Sequence, residues 1–180
     1  LKCSSLVRIN IPASVTKIES NAFDGCSSLL EVELNEGLQI IEGAAFSSCT
    51  SLLRINLPSS TVHVEEYAFA YCNQLRYAEL REGLQTVGTH AFWDCRSLEC
   101  ITVPSSVTSI GERAFARCSN LSEVTLCEGV HEVGYDAFSN CTSLSHINIA
   151  PVAFVIDTGG SSCQLMRATM ALPRAMGEEA

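Results

Sequence analysis

The residues with the most chemistry in them are ten cysteines, and their spacing decides what that chemistry can be. Seven of them, Cys3, Cys26, Cys49, Cys72, Cys95, Cys118 and Cys141, each follow the last by 23 residues. Ten cysteines in a small secreted domain would read as a disulfide framework, and in a cytosolic one as metal or redox chemistry. A fixed period instead marks a solenoid, in which these cysteines stand in a column. Coils stack at the strand spacing of roughly 4.8 Å. Equivalent Cβ atoms therefore stay farther apart than the roughly 3.8 Å of a disulfide. Tetrahedral zinc needs four converging ligands, and a straight column does not converge. The expectation is a structural column of reduced thiols packed as small hydrophobes, with no metal and no cofactor. Cys100 falls on the outward side of a strand, Cys127 at the turn position that proline takes in alternate coils, and Cys163 in the tail. These three read as free thiols.

Other reactive residues form no catalytic set. Phe154-Val155-Ile156-Asp157-Thr158-Gly159-Gly160-Ser161-Ser162 resembles the hydrophobic-D-T-G-S-S signature of aspartic proteases, but an extra glycine breaks it. Such an enzyme needs two aspartates sharing a proton across two lobes, and 23 residues after Asp157 are too few for one lobe. His63, His90, His131 and His146 occupy non-equivalent repeat positions and have neither metal-ligand nor triad spacing. They read as surface histidines. Phosphate loops and dinucleotide fingerprints are absent. The sequons Asn120-Leu121-Ser122 and Asn140-Cys141-Thr142 sit at repeat-determined positions beside a core leucine and a column cysteine, so chance suffices to explain them. The chain is read as having no catalytic residues.

The elements that carry these residues follow the same beat. Leu6, Leu29, Leu52, Leu75, Leu98, Leu121 and Leu144 each trail a column cysteine by three. Phe23, Phe46, Phe69, Phe92, Phe115 and Phe138, each after an alanine, take one repeat position and form a core module. From each leucine the pattern L-x-x-I-x-I, as in Leu6-Ile9-Ile11, alternates as a half-buried strand must. A turn follows, built on Pro12, Pro58 and Pro104 in alternate coils and on Glu36-Gly37, Glu82-Gly83 and Glu128-Gly129 in the others. This alternation at 46 residues points to duplication of a two-coil unit. A second apolar pair such as Val15/Ile18 predicts a short second strand, and Thr61-Val62-His63-Val64 displaces the first valine of the third coil by one place. Ile18, Ala22 and Cys26, at i, i+4 and i+8, predict a short helical turn carrying Phe23.

The string Ile-x-x-Pro-Ser-Ser-Val-x-x-Ile-x-x-x-Ala-Phe-x-x-Cys-x-x-Leu, from Ile101 to Leu121, resembles the BspA-like (Treponema pallidum type) leucine-rich repeat family. It departs from the commoner leucine-rich pattern, in which Asn or Cys follows the strand's last leucine by three. Those positions here are Ser14, Gly37, Ser60, Gly83, Ser106, Gly129 and Val152, so the cysteine column takes over a comparable stacking role. The fold class that follows is a leucine-rich-repeat solenoid of parallel β-strands, short second strands and short helical turns, in a curved right-handed coil. About six and a half coils fill residues 1–149. Residues 150–180 are a degenerate last coil, with Val152, Val155 and Ile156, and a tail that caps the solenoid or docks on another chain; 163–172 would be a short helix. The resemblance implies a protein- or surface-binding role, some members being adhesins of host-associated bacteria or surface proteins of protists.

Charge narrows the partners. The chain carries a net charge of −9 with no cluster of Lys or Arg, which argues against nucleic acid. It has no apolar run near the roughly 20 residues of a transmembrane helix. The outward strand positions are free of core duty and form the candidate surface: Arg8, Glu31, Glu33, Arg54, Tyr77, Glu79, Thr102, Glu123, Thr125 and His146. Arg8, Glu31 and Arg54 on adjacent strands predict cross-strand ion pairing. Tyr71 and Trp93, just after the phenylalanines, are expected to be partly exposed. The function expected is a non-enzymatic module that binds a protein partner along this strip. An architectural subunit with contacts at its ends and tail is one alternative, and a cell-surface adhesin fragment another. Leu1 begins in mid-coil without an initiator methionine or signal peptide, so the chain reads as a fragment or processed piece of a larger chain or assembly. The reduced column fits an intracellular site and the resemblance a cell surface.

Overall fold

The computed structural model describes residues 3–150 and the backbone of Val155–Ile156. Each coil contributes a longer strand and a short one. The longer strands are β1 (Arg8–Ile11), β3 (Glu31–Leu34), β5 (Arg54–Asn56), β7 (Tyr77–Glu79), β9 (Cys100–Val103), β11 (Glu123–Leu126) and β13 (His146–Ile149). The short ones are β2 (Lys17–Ile18), β4 (Ile40–Ile41), β6 (His63–Val64), β8 (Thr86–Val87), β10 (Ser109–Ile110), β12 (Glu132–Val133) and β14 (Val155–Ile156). All pairings are parallel and shifted by one repeat, as in Arg8↔Glu31 and Val124↔Ile147. The short strands make one seven-stranded sheet, while the longer ones divide into β1-β3 and a five-stranded sheet from β5 to β13. At the division the Leu53 N–H reaches the Leu30 carbonyl at only 3.4 Å.

The inward positions form a single core. Leu29, Leu52, Leu75, Leu98 and Leu121 are fully buried, together with the column cysteines from Cys49 to Cys141. Phe23 to Phe138 stack face to face with centroids 5.0–5.3 Å apart and ring planes within 12°. That separation matches the coil rise, so each ring covers the one below. In the third coil Thr61, not Val62, fills the buried slot of Leu38 and Leu84, and its hydroxyl donates to the Leu38 carbonyl at 3.1 Å. The register therefore continues without displacement, because threonine has the shape of valine and its hydroxyl has a partner.

The third wall is not helical, contrary to the expectation from Ile18, Ala22 and Cys26: the described residues contain no helix. A helix about 10 Å across would need the coils to splay apart on this side, whereas the phenylalanines here keep successive coils 5.0–5.3 Å apart. The chain instead alternates its backbone donors. Ala22, Asp24 and Cys26 donate to carbonyls three residues back, whereas Asn21, Phe23 and Gly25 donate to Gly43, Ala45 and Ser47 of the next coil. Two positions per coil are left-handed to permit this. They account for every described non-glycine residue with positive φ, from Asn21, Ala44, Tyr67, His90, Arg113 and Asp136 at one to Ser48, Tyr71, Asp94, Arg117 and Asn140 at the other.

The 46-residue alternation also has a structural cause. Glu36 accepts hydrogen bonds from the N–H groups of Ser59 and Ser60 (3.1 and 3.0 Å) and from the Ser59 hydroxyl. Glu82 does the same for Ser105 and Ser106. The adjoining glycines lie against the preceding coil, where a Cβ at Gly37 or Gly83 would collide with the carbonyl oxygen of Ala13 or Ser59. Both glycines are also left-handed, with φ of 112° and 110°. The Ser59 backbone N–H, and at Glu82 the Ser105 hydroxyl followed by its N–H, hold these carboxyls below the usual glutamate range. A depressed folded pKa means stabilisation that is complete above the ordinary value of 4.5 and is lost as pH falls through the folded pKa. We expect Glu82→Gln to lower stability at neutral pH and to shrink the loss between about pH 5 and pH 3. Urea unfolding of both proteins at the two pH values measures this; equal losses would contradict it.

Candidate functional site

The outward positions of the longer strands form one continuous strip. Alternation places Arg8, Glu31, Glu33, Arg54, Tyr77, Glu79, Thr102, Glu123 and His146 in solvent and leaves Thr125 half-buried. A groove of about 750 Å³ brings together Arg8, Glu31, Glu33 and Arg54 with Asn56 and Arg81. Next to it, a hollow of about 280 Å³ is lined by Tyr77, Glu79 and Thr102 with Cys100. Thr125 lines a third, of about 510 Å³, beside Cys127, Asn148 and Ala150. Glu123 and His146 line none of these three; they face each other in register across β11 and β13.

Only half of the expected ion-pair ladder forms. Arg8 Nε lies 3.1 Å from Glu31, whereas Arg54 has no carboxylate of the described residues within reach. Glu31, the carboxylate on the strand between the two arginines, is already taken by Arg8. Elsewhere Glu79 takes Arg81 at 3.1 Å, and Glu99 accepts from the Tyr77 hydroxyl at 3.2 Å. Asn10 donates to Glu33 and Asn148 to Glu123, both at 3.1 Å. Solvent-exposed pairs of this kind add little stability. They order a polar surface instead, on which Arg54 is the charge left open.

The column thiols are placed for packing and hydrogen bonding. Cys49, Cys72, Cys95, Cys118 and Cys141 each donate Sγ–H to the phenylalanine carbonyl of the preceding coil at 3.2–3.3 Å. That carbonyl already accepts its own coil's cysteine N–H, as Phe46 does from Cys49. Burial pushes the Cys49 and Cys141 thiols up to about 12 and those of Cys72, Cys95 and Cys118 well above the usual range. Cys26 is also buried and its thiol raised, whereas Cys3 is exposed at the first described coil. Cys100 is exposed and Cys127 half-buried, neither in a disulfide. The described residues hold no cluster of three or more His, Cys, Asp or Glu that could bind a metal. Asp157, Cys163 and the expected helix at 163–172 lie outside the described residues.

Sequence reasoning missed an aromatic cluster on the turn wall. Tyr67 stacks on His90 (4.7 Å, 2°), and Trp93 meets His90 and Tyr71 edge-on at 5.3 and 4.9 Å. His90 is therefore no ordinary surface histidine: its Nδ1 is buried without a hydrogen-bond partner, and burial, aided by Arg113, lowers its pKa. The signal was present in the period, because Tyr67 and His90 are 23 residues apart.

The comparisons agree with this architecture. The model of the BspA type leucine-rich repeat region, in 6 copies, matches residues 1–104 and 52–160. The crystal structure of the T. pallidum leucine-rich repeat protein is similar at 31% identity, covering 83% of this chain and 73% of that one, with a TM-score of 0.78. A leucine-rich cell surface protein from Faecalibacterium prausnitzii matches at 20% identity over 92% of this chain and 63% of that one (TM-score 0.49), and a leucine-rich repeat protein from Bacteroides ovatus at 19% over 89% and 65% (TM-score 0.45). No curated protein matches. Among the described residues no helix is long and apolar enough to cross a membrane. With the 23-residue register, the phenylalanine stack and the family match in agreement, the chain belongs to the BspA-type leucine-rich repeat family.

Proposed function

We propose that the chain is a non-enzymatic module that binds a protein partner along the strand strip, through Arg8, Glu31, Glu33, Arg54, Tyr77, Glu79, Thr102, Glu123, Thr125 and His146. The observation that carries this is the groove around Arg54, a cation without an ion pair to any described carboxylate, in a strip where Arg8–Glu31 and Arg81–Glu79 are paired. Tyr77, at 47% exposure, stands opposite Arg54 in register. Tyrosine and arginine together are the residue types that carry most binding energy at interfaces. Repeat solenoids commonly use such extended surfaces for recognition. Family membership supports the class of role, since leucine-rich repeat proteins of this kind are commonly interaction or surface proteins.

The test is a photo-crosslinker, benzoylphenylalanine, placed at Tyr77, at Thr86 on the short-strand wall and at Ala150, in cells of the source organism. Discrete adducts are expected from Tyr77 and should disappear in an Arg54→Glu background. Adducts confined to Ala150 would favour the architectural reading instead, with contacts at the solenoid end.

A further inference from the structure

The turn wall carries a second constellation that the strand strip does not use. In neighbouring coils the two left-handed positions hold Tyr67 and Tyr71, His90 and Asp94, and Arg113 and Arg117, with Trp93 beside Asp94, whose buried carboxylate is taken by Arg96. Other coils place Asn21, Gly25, Ala44, Ser48, Asp136 and Asn140 at these left-handed positions. Asn, Asp and Gly suit positive φ, whereas tyrosine and arginine do not. At φ of 55–64° Tyr67, Tyr71 and Arg117 are thus held against backbone preference, and the ring contacts they make are local to the surface.

Charge identifies what could cover this face. The Arg113 guanidinium is spent on Glu112 and Asp136 at 2.9 and 3.6 Å. Arg117 is exposed, lies over the Trp93 ring at 5.6 Å, and has no carboxylate of the described residues within 4.0 Å. Among the described lysines and arginines it shares that condition only with Arg54, which belongs to the other face. Beside it Tyr71 keeps 38% of its surface in water. An unpaired guanidinium flat on an indole, next to an exposed tyrosine, is complementary to a carboxylate adjoining an apolar side chain. Trp, Tyr and Arg are also the types enriched in the centres of protein interfaces. We propose that this wall is a second docking face, for an acidic protein segment that sets a carboxylate on Arg117 and an apolar side chain on Tyr71 and Trp93.

Trp93 is the sole tryptophan of the chain, so its fluorescence reports on this face alone. The probe is a tryptophan-free peptide of Glu-Glu-Phe repeats titrated into the full chain, with Lys-Lys-Phe repeats and polygalacturonate as comparisons. The expected result is a saturable shift in Trp93 emission with the acidic peptide only. Its midpoint should move by about tenfold or more in Arg117→Glu, an exposed position outside the core. Arg54→Glu, on the strand strip, should leave the midpoint unchanged, which separates this face from the one proposed above. The inference is overturned by no saturable shift, by equal shifts with the basic peptide, by a response to polygalacturonate alone, or by an Arg117→Glu midpoint equal to that of the parent.

Discussion

At pH 8 a thiol reagent should label the exposed Cys3 and Cys100 before the half-buried Cys127, and the column from Cys49 to Cys141 only as the protein unfolds. A thiol with a pKa of about 12, as at Cys49 and Cys141, has roughly 10⁻⁴ of its population as thiolate at that pH, about a thousandfold less than an ordinary thiol. The hydrogen bond to the preceding phenylalanine carbonyl ties up the same proton. Burial denies access as well, since Cys49 to Cys141 have no exposed surface. Modification of the column therefore measures opening of the solenoid, and its order measures where opening starts. Cys26, nearer the described end, should react before Cys95 in the middle. Mass mapping after timed alkylation, with Ellman titration of native and unfolded protein, gives the result. A thiol of the buried column, from Cys49 to Cys141, labelled as fast as Cys100, or a disulfide mass between those positions, would refute the packing described.

Phe69→Ala should destabilise the chain by about 3–5 kcal/mol. Phe69 is fully buried between Phe46 and Phe92, at 5.3 and 5.2 Å. Truncation removes one ring contact above and one below, each of which adds to the loss of burial. Because each coil touches only its neighbours, a cavity in the third full coil also weakens the coupling between the two halves of the stack. Denaturant unfolding followed by Trp93 fluorescence and by circular dichroism should then give two non-coincident transitions, where the parent gives one. Loss below about 1 kcal/mol, the range of a tolerated core swap, would show that the column is not the structural spine.

Much of this architecture can be read from the period. Cysteine, leucine and phenylalanine at fixed spacing name the inward positions, and the alternation of Arg8, Asn10, Glu31 and Glu33 with core residues names the outward ones. The turn wall was illegible for a reason of geometry. Ile18, Ala22 and Cys26 at a spacing of four satisfy a helix and a stacked turn equally well, and what separates them, the hydrogen bonds of Asn21, Phe23 and Gly25 to the next coil, leaves no mark on that spacing. The strip was legible as a set of positions, but its pairing was not: with Glu31 between Arg8 and Arg54, the spacing does not say which arginine takes it. Thr61 misled for the opposite reason, because a polar residue in an apolar slot looks like a slip of register when its hydroxyl partner, the Leu38 carbonyl, is out of view.

The carboxylates of Glu36 and Glu82 have a bearing on how such a chain can grow. Each belongs to one coil and caps the serine turn of the next, while the glycine beside it fits under the coil before. Removing a single coil would set two serine turns, or two glutamate turns, side by side, orphaning a carboxylate or driving a side chain into backbone. Removing two leaves every junction as it was. In this chain a deletion of 46 residues is therefore expected to preserve the turn junctions where one of 23 would not, so the solenoid shortens or lengthens by the pair of coils although it stacks by the single coil.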